Sequence, residues 1–189
     1  MKKRIIVGVS GASGVVMSRF LLNALREAGA ETFLVVSESA KLTWSLETDC
    51  PIEELLSLAD HVYDEKNYSA PIASGSFVTD GMIVIPCSMK TLAGISCGFA
   101  DNLLLRSVDV CLKEGRKVIL VPRETPLGKV HLKNLSAAAD YGCMIVPPML
   151  TFYHGTDTVE AQIIHTIGKA LQPFGIIPDG YMPWTGEKL

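Results

Sequence analysis

Four segments of this chain carry residue types able to hold a phosphate, shelter an apolar group or move a proton. The first is Val9-Ser10-Gly11-Ala12-Ser13-Gly14, which follows the apolar run Ile5-Ile6-Val7 and opens a helical pattern. A strand that turns on small residues into a helix presents backbone N–H groups to an anion. Small residues also let a flat ring approach the main chain. The spacing is not the G-x-G-x-x-G of dinucleotide folds, and no lysine follows as in a P-loop. With hydroxyls from Ser10 and Ser13, the turn suits a single phosphate or a polar ring edge, or else is simply a tight connection.

The second segment, Pro86-Cys87-Ser88-Met89-Lys90-Thr91, repeats the strand–turn–helix plan. Ser88 has the type of an N-cap. Two hydroxyls and Lys90 at a helix N-terminus suit a phosphate, although an ordinary capped helix needs no more than Ser88. In the third, Arg123-Glu124-Thr125-Pro126 follows the apolar run Val118–Val121. Arg123 can grip a phosphate or carbonyl oxygen, Glu124 can transfer a proton, and the same pair also reads as a surface salt bridge. The fourth runs from Pro147-Pro148 to Phe152-Tyr153-His154, where aromatic rings can wall an apolar ligand and a phenol can reach a phosphate. Lys113 and Lys169 fall at the ends of helical patterns, where dipole compensation accounts for them. Glu47, in Ser45-Leu46-Glu47-Thr48-Asp49, carries no signal by itself.

These segments need a scaffold, and the hydrophobic pattern supplies one. Apolar runs at Arg4–Ser10, Thr32–Ser37, Met82–Pro86, Lys117–Pro122 and Met144–Val146 are continuous rather than alternating, as in strands buried on both faces. Helical patterns fill the gaps at Gly14–Ala28, Ser39–Leu46, Ile52–Ala59, Ser88–Cys97, Asn102–Lys113, Gly128–Tyr141 and Asp157–Leu171. Gly29, Gly115 and Gly142 stand where helices stop. The alternation predicts an α/β fold: a doubly wound parallel sheet between two helical layers, three-layer α/β/α. Ligands of such sheets bind beyond the strands' carboxyl ends, where the four segments and Ser37 fall. Tyr68–Ser76 reads as a loop. The proline-bearing tail from about residue 173 reads as irregular, closing a single domain over 1–189.

Composition narrows the function. A 189-residue chain with 48% hydrophobic residues supports one sizeable core. A net charge of −3 predicts no nucleic-acid footprint. No run reaches a membrane span, and Ile5–Val9 is too short for a signal peptide, so the expected location is the cytoplasm. The five cysteines lack C-x-x-C spacing and read as reduced thiols. There is no G-x-S-x-G elbow and no Asp-rich diphosphate motif. A phosphate ester is thus expected to be held by cations and backbone, without metal.

Taken together, the segments resemble the flavin prenyltransferase family of UbiX type. The matching stretches are Ser10–Gly14, Leu46–Asp49, Ala73-Ser74-Gly75-Ser76-Phe77, Pro86–Thr91, Asp101–Arg106, Lys113-Glu114, Arg123–Leu127 and Phe152–His154. They span nearly the whole chain in the family's order. The resemblance implies a flavodoxin-like (Rossmann-like) fold, commonly a dodecamer with sites between subunits. It implies transfer of a dimethylallyl group from dimethylallyl monophosphate to N5 and C6 of reduced FMN, giving prenylated FMN for a UbiD-type decarboxylase. Carried over by position, Gly11, Ala12, Ser13, Ser37, Ser88, Met89, Lys90, Thr91 and Arg123 would contact FMN. Tyr153, Lys169, Ser74, Arg106 and Lys113 would serve the prenyl phosphate. Ser13, Lys113, Glu47 and Glu124 would be catalytic, the two glutamates as proton-transfer groups. The chain departs from the family at Lys169 (often arginine), at Pro183-Trp184 (usually Arg-Trp) and at Met17 (often aromatic). Two competing readings are an FMN-dependent cysteine decarboxylase, whose Pro-Ala-Ser-Ala-Asn-Thr motif is absent and whose central histidine has only His61 as a counterpart, and a non-catalytic FMN carrier.

Overall fold

The computed structural model describes residues 2–153, 155 and 158–186. Its centre is one parallel sheet of six strands: β1 (Arg4–Val9), β2 (Glu31–Val36), β3 (His61–Asp64), β4 (Gly81–Cys87), β5 (Lys117–Pro122) and β6 (Cys143–Ile145). Their order is β3-β2-β1-β4-β5-β6. Without β3 this is the 2-1-3-4-5 order of flavodoxin-like sheets, and β3 extends the β2 edge. The α-helices among the described residues are α1 (Val16–Glu27), α2 (Glu38–Glu47), α3 (Ile52–Leu56), α4 (Met89–Cys97), α5 (Leu103–Lys113), α6 (Lys129–Asp140) and α7 (Val159–Leu171). Among the described residues no helix is long and apolar enough to cross a membrane.

The continuous apolar runs bury both faces of the sheet. Ile5, Val7, Val9, Leu34, Ile83 and Ile119 face a layer built from α1, α7, Trp44 and Leu55. Ile6, Phe33, Val35, Met82, Val84 and Leu120 face the layer of α4, α5 and Ala138 of α6. Successive residues point to opposite faces, so each continuous run feeds both cores. All seven residues of β4 are buried.

The five expected strands and seven expected helices are present, with ends shifted by a few residues. The last helical pattern was expected from Asp157, which lies outside the described residues; α7 itself begins at Val159. β3 has no counterpart in the sequence reading. It is a four-residue edge strand with three exposed side chains, so no apolar run marks it. It is held by parallel pairing to β2 and by His61 stacked on Phe33, ring centroids 4.8 Å apart. The segment read as the loop Tyr68–Ser76 contains a 3₁₀ turn, Pro71–Ala73, that buries Ile72.

The amino edge of the sheet is polar and tied together. Asp80 Oδ2 accepts from the Arg4 amide at 2.8 Å, and Lys3 Nζ donates to Asp80 Oδ1 at 2.9 Å. Burial pushes the Asp80 carboxyl up, and the Arg4 amide and Lys3 ammonium together hold it below its usual value. A depressed folded-state pKa contributes stability that is present above the unfolded value, about 3.9, and is lost as pH falls through the folded one. Asp80→Asn should therefore be less stable than wild type near pH 7, and the gap should close below about pH 4. Urea unfolding across pH measures it; a gap independent of pH would count against the ion pair.

Candidate active site at the switch point

β1 and β4 are neighbours, yet the chain leaves them in opposite directions, to β2 and to β5. This is the topological switch point, and its crevice opens beyond the carboxyl ends. Two turns meet there. The buried Ser10 hydroxyl donates to the Pro86 carbonyl at 3.0 Å and accepts from the Ser88 amide at 2.8 Å. The Ser10 amide donates to the same carbonyl at 3.2 Å. Ser10 is therefore a bridge between the turns and not the ligand donor expected from its type.

The glycine turn is shaped from outside. A Cβ on Gly11 would lie 2.6 Å from the Ser39 side chain, so only glycine lets α2 pack this close. Gly14 has φ +90°, a conformation that turns the chain into α1 at little cost only for glycine. The expected anion at this helix start is the protein's own. Glu47 Oε2, from the end of α2, accepts from the Gly14 amide at 2.8 Å and the Val15 amide at 3.3 Å. A carboxylate at a helix N-terminus satisfies orphan donors and the dipole together. The Gly11 and Ser13 amides make no hydrogen bond to another described residue and remain for a ligand.

The other helix starts at this edge are capped the same way. Ser37 Oγ accepts from the Ala40 amide at 3.1 Å and shares a 3.0 Å bond with Ser39 Oγ, while the Ser37 amide holds the Val9 carbonyl at 3.0 Å. Ser88 Oγ accepts from the Thr91 amide at 3.2 Å and donates to Thr91 Oγ1 at 3.1 Å. The Arg123 amide donates to the Cys87 carbonyl at 3.3 Å, which fixes the third segment beside the second. The structure thus brings together Gly11, Ala12, Ser13, Ser37, Glu47, Ser88, Met89, Lys90, Thr91, Arg123 and Glu124. Met89, Arg123, Glu124, Ile145, Pro147 and Met149 line a cavity of about 410 Å³ that is mostly apolar with few polar groups, the usual character of a small-molecule site. Burial, with the Cys143 thiol nearby, pushes the Cys87 thiol far up, so it stays protonated and is no nucleophile.

The remaining site candidates lie elsewhere on the chain. α7 carries Lys169 in its last turn, where it lines a wide cleft of about 550 Å³ with Met144–Pro147 and Gln172. Ile145 and Pro147 line this cleft and the Glu124 cavity alike, so the β6 end separates the two. The Tyr153 hydroxyl lies 3.2 Å from His165 Nε2 of α7, and Trp184 packs edge-on against the Tyr153 ring at 5.3 Å. His165, buried and one helical turn before Lys169, had no motif to mark it in the sequence. His154 lies outside the described residues.

Ser74, Arg106 and Lys113 form a third set along α5. Arg106 Nε donates to the Ala73 carbonyl at 3.2 Å and Nη1 pairs with Asp109 at 2.6 Å. Ser74 Oγ bonds Ser76 Oγ at 2.9 Å. Lys113 Nζ holds Glu114 Oε1 at 2.5 Å, a pairing that keeps the Glu114 carboxyl below its usual value. α5 starts beside the carboxyl end of β3, where the Leu103 amide binds the Glu65 carbonyl, and descends about 16 Å. Lys113 therefore ends four residues before β5 begins, at the sheet edge opposite the crevice. The expectation that Lys113 shares a site with Ser13 and Glu124 is not met within one chain.

An open parallel sheet of this order, with capped helix starts and an apolar cavity at its switch point, defines a flavodoxin-like α/β protein of the nucleotide-cofactor-binding class. Comparison with known proteins is specific. The Flavoprotein family model matches residues 1–172. A probable UbiX-like flavin prenyltransferase of Sedimentibacter hydroxybenzoicus is 57% identical over 186 residues, 98% of each chain. The crystal structure of AnUbiX (PadA1) in complex with FMN and dimethylallyl pyrophosphate aligns with TM-score 0.96 at 42% identity, over 99% of this chain and 100% of that one. A dodecameric FMN-dependent Ubix-like decarboxylase from Escherichia coli O157:H7 aligns with TM-score 0.94 at 48% identity, over 97% and 100%. The chain belongs to the Flavoprotein family and, within it, to the UbiX-like flavin prenyltransferases. The peptidyl-cysteine decarboxylase EpiD, 18% identical over 80% of this chain and 84% of its own with TM-score 0.62, shares the fold alone.

Two substitutions test this geometry. Ser10→Ala leaves the Ser88 amide short of its buried acceptor and should cost about 1–3 kcal/mol in chemical unfolding. Stability equal to wild type would mean the two turns hold without the bridge. Glu47→Ala should cost about 1 kcal/mol through lost capping of α1, whereas Glu47→Gln, which keeps an acceptor oxygen, should cost less. Equal losses from both would separate Glu47 from the helix start.

Proposed function

We propose that the chain transfers a dimethylallyl group from dimethylallyl monophosphate to N5 and C6 of reduced FMN. The observation that carries this reading is the meeting, at one switch-point crevice, of Gly11–Ser13, Ser37, Ser88–Thr91 and Arg123. These are the positions at which the family's flavin contacts are expected, in a chain 57% identical to a UbiX-like relative. The free amides of Gly11 and Ser13 and the neighbouring apolar cavity suit a phosphorylated flat ring. FMN supplies the nucleophilic ring atoms; the protein's residues bind, orient and exchange protons. Gly11, Ala12, Ser37, Ser88, Met89, Lys90, Thr91 and Arg123 hold FMN, with the Ser13 hydroxyl beside its reacting edge.

The allylic C–O bond breaks and phosphate departs, so charge grows on the leaving oxygen. Lys169, Arg106 and Lys113, with the Tyr153 and Ser74 hydroxyls, stabilise it. Apolar walls such as Met89 and Met149 exclude water from the allylic carbon. Two protons leave the ring atoms that form new bonds and one is delivered to the allyl double bond. Glu47 and Glu124 are the groups that move them.

One chain holds these residues in three separate places: the crevice, the Tyr153–Lys169 face of α7, and the Ser74–Arg106–Lys113 face of α5. Assembly of copies, with a dodecamer as the end point, brings one chain's α5 and α7 faces to another's crevice. The same reading makes prenylated FMN the product delivered to a UbiD-type decarboxylase, in the cytoplasm, with the whole chain acting as one flavoprotein domain. Neither competing reading finds comparable support. His61, the counterpart a cysteine decarboxylase would need, is bound to Glu31 at 3.0 Å on the amino edge, away from the crevice. A passive carrier would have no use for Glu124 at the cavity wall.

Anaerobic incubation of the protein with reduced FMN and dimethylallyl monophosphate, in parallel with the pyrophosphate, should yield a flavin heavier by one dimethylallyl group less one hydrogen. Folded, FMN-loaded protein that gives no such product with either ester would end the proposal. Glu124→Gln should keep FMN binding and lower turnover about a hundredfold; unchanged turnover would remove Glu124 from the proton path.

A further inference from the structure

We propose that His165 is a positioning residue that dictates which way the Tyr153 hydroxyl points its proton. The inference rests on the reading of Tyr153 as a ligand of the prenyl phosphate. His165 lies in the middle of α7 and is only 6% exposed. Its Nε2 is 3.2 Å from the Tyr153 hydroxyl, and the rings meet edge to face at 5.6 Å. The Tyr181 ring covers the imidazole from 5.4 Å, and Trp184 backs the phenol. The hydroxyl thus meets His165 inside an aromatic cluster. Lys169 stands one turn further along the same helix face.

A phenol has one proton to give. If Tyr153 gives it to His165, its oxygen offers an approaching phosphate only lone pairs, and the contact is repulsive. If His165 donates Nε2–H to the phenol oxygen, the Tyr153 proton points away from the imidazole and can meet the phosphate in a charge-assisted bond. Imidazole can take either role by tautomer or protonation, which neither phenylalanine nor methionine can do. With Nε2 carrying the hydrogen, His165 therefore turns the Tyr153 proton outward, toward an anion held beside Lys169.

The test is a set of variants of the assembled, FMN-loaded enzyme: His165→Phe, His165→Gln, Tyr153→Phe, and His165→Phe with Tyr153→Phe. His165→Phe keeps a ring in the cluster but has no donor. It should raise KM for dimethylallyl monophosphate about tenfold, with FMN affinity unchanged. His165→Gln, which restores an N–H donor, should recover most of the loss. In the Tyr153→Phe background, His165→Phe should change KM less than about twofold, because there is no hydroxyl left to orient. If His165→Phe does not fold, His165→Met, which also lacks a donor, is read the same way. Wild-type KM in His165→Phe, or an equal rise in His165→Gln, would overturn the proposal while leaving Tyr153 as a phosphate ligand. Wild-type KM in Tyr153→Phe would instead overturn the reading beneath it.

Discussion

The architecture of the crevice depends on one buried hydroxyl. β1 and β4 pair from Ile5–Gly81 to Gly8–Val84. Beyond that register their ladder ends, because each strand must turn toward a different helical layer. Ser10 continues the connection with its side chain, gripping the Pro86 carbonyl and the Ser88 amide. The start of α1 and the start of α4 are thereby fixed relative to each other. Every group proposed to hold the flavin is placed by one of these two starts or by a segment bonded to them: Ser37 through the Val9 carbonyl, Arg123 through the Cys87 carbonyl.

A second constraint is that the helix ends at the crevice are satisfied internally. Glu47 serves α1, Ser37 serves α2, Ser88 serves α4 and Asn102, accepting from the Leu105 amide at 2.9 Å, serves α5. The helix starts are therefore hydrogen-bonded within the chain, and what the crevice offers is a short set of amides and hydroxyls rather than bare dipoles. Such preorganisation lowers the ordering cost of binding. The cations follow a different plan. Lys90 and Arg123 stand at the crevice, whereas Lys169 and the Arg106–Lys113 set stand on two other faces of the chain.

Much of this was legible in the sequence, and for identifiable reasons. Continuous apolar runs such as Met82–Pro86 announced buried parallel strands, and Ser88 announced a helix start by residue type. The four segments beyond the strand ends were located by topology alone. Three features were not legible. β3 lacks an apolar run because an edge strand with exposed faces needs none. Glu47 reaches α1 across 33 residues of sequence, and no local pattern records a cap supplied from that distance. His165 sits in an amphipathic helix where a buried polar residue has no spacing rule; only its 3.2 Å approach to Tyr153 reveals it.

Gly11 shows how such a site constrains its own history. The space above its Cα is filled by Ser39. Any side chain there would push α2 outward and carry Ser37 and Glu47 with it, disturbing the crevice wall and the cap of α1 in one step. A glycine retained at this position across relatives would record the neighbouring helix as much as the molecule bound in front of it. Drift in the crevice is thus open to residues that only line the cavity, such as Met89, sooner than to those that also hold a helix in place.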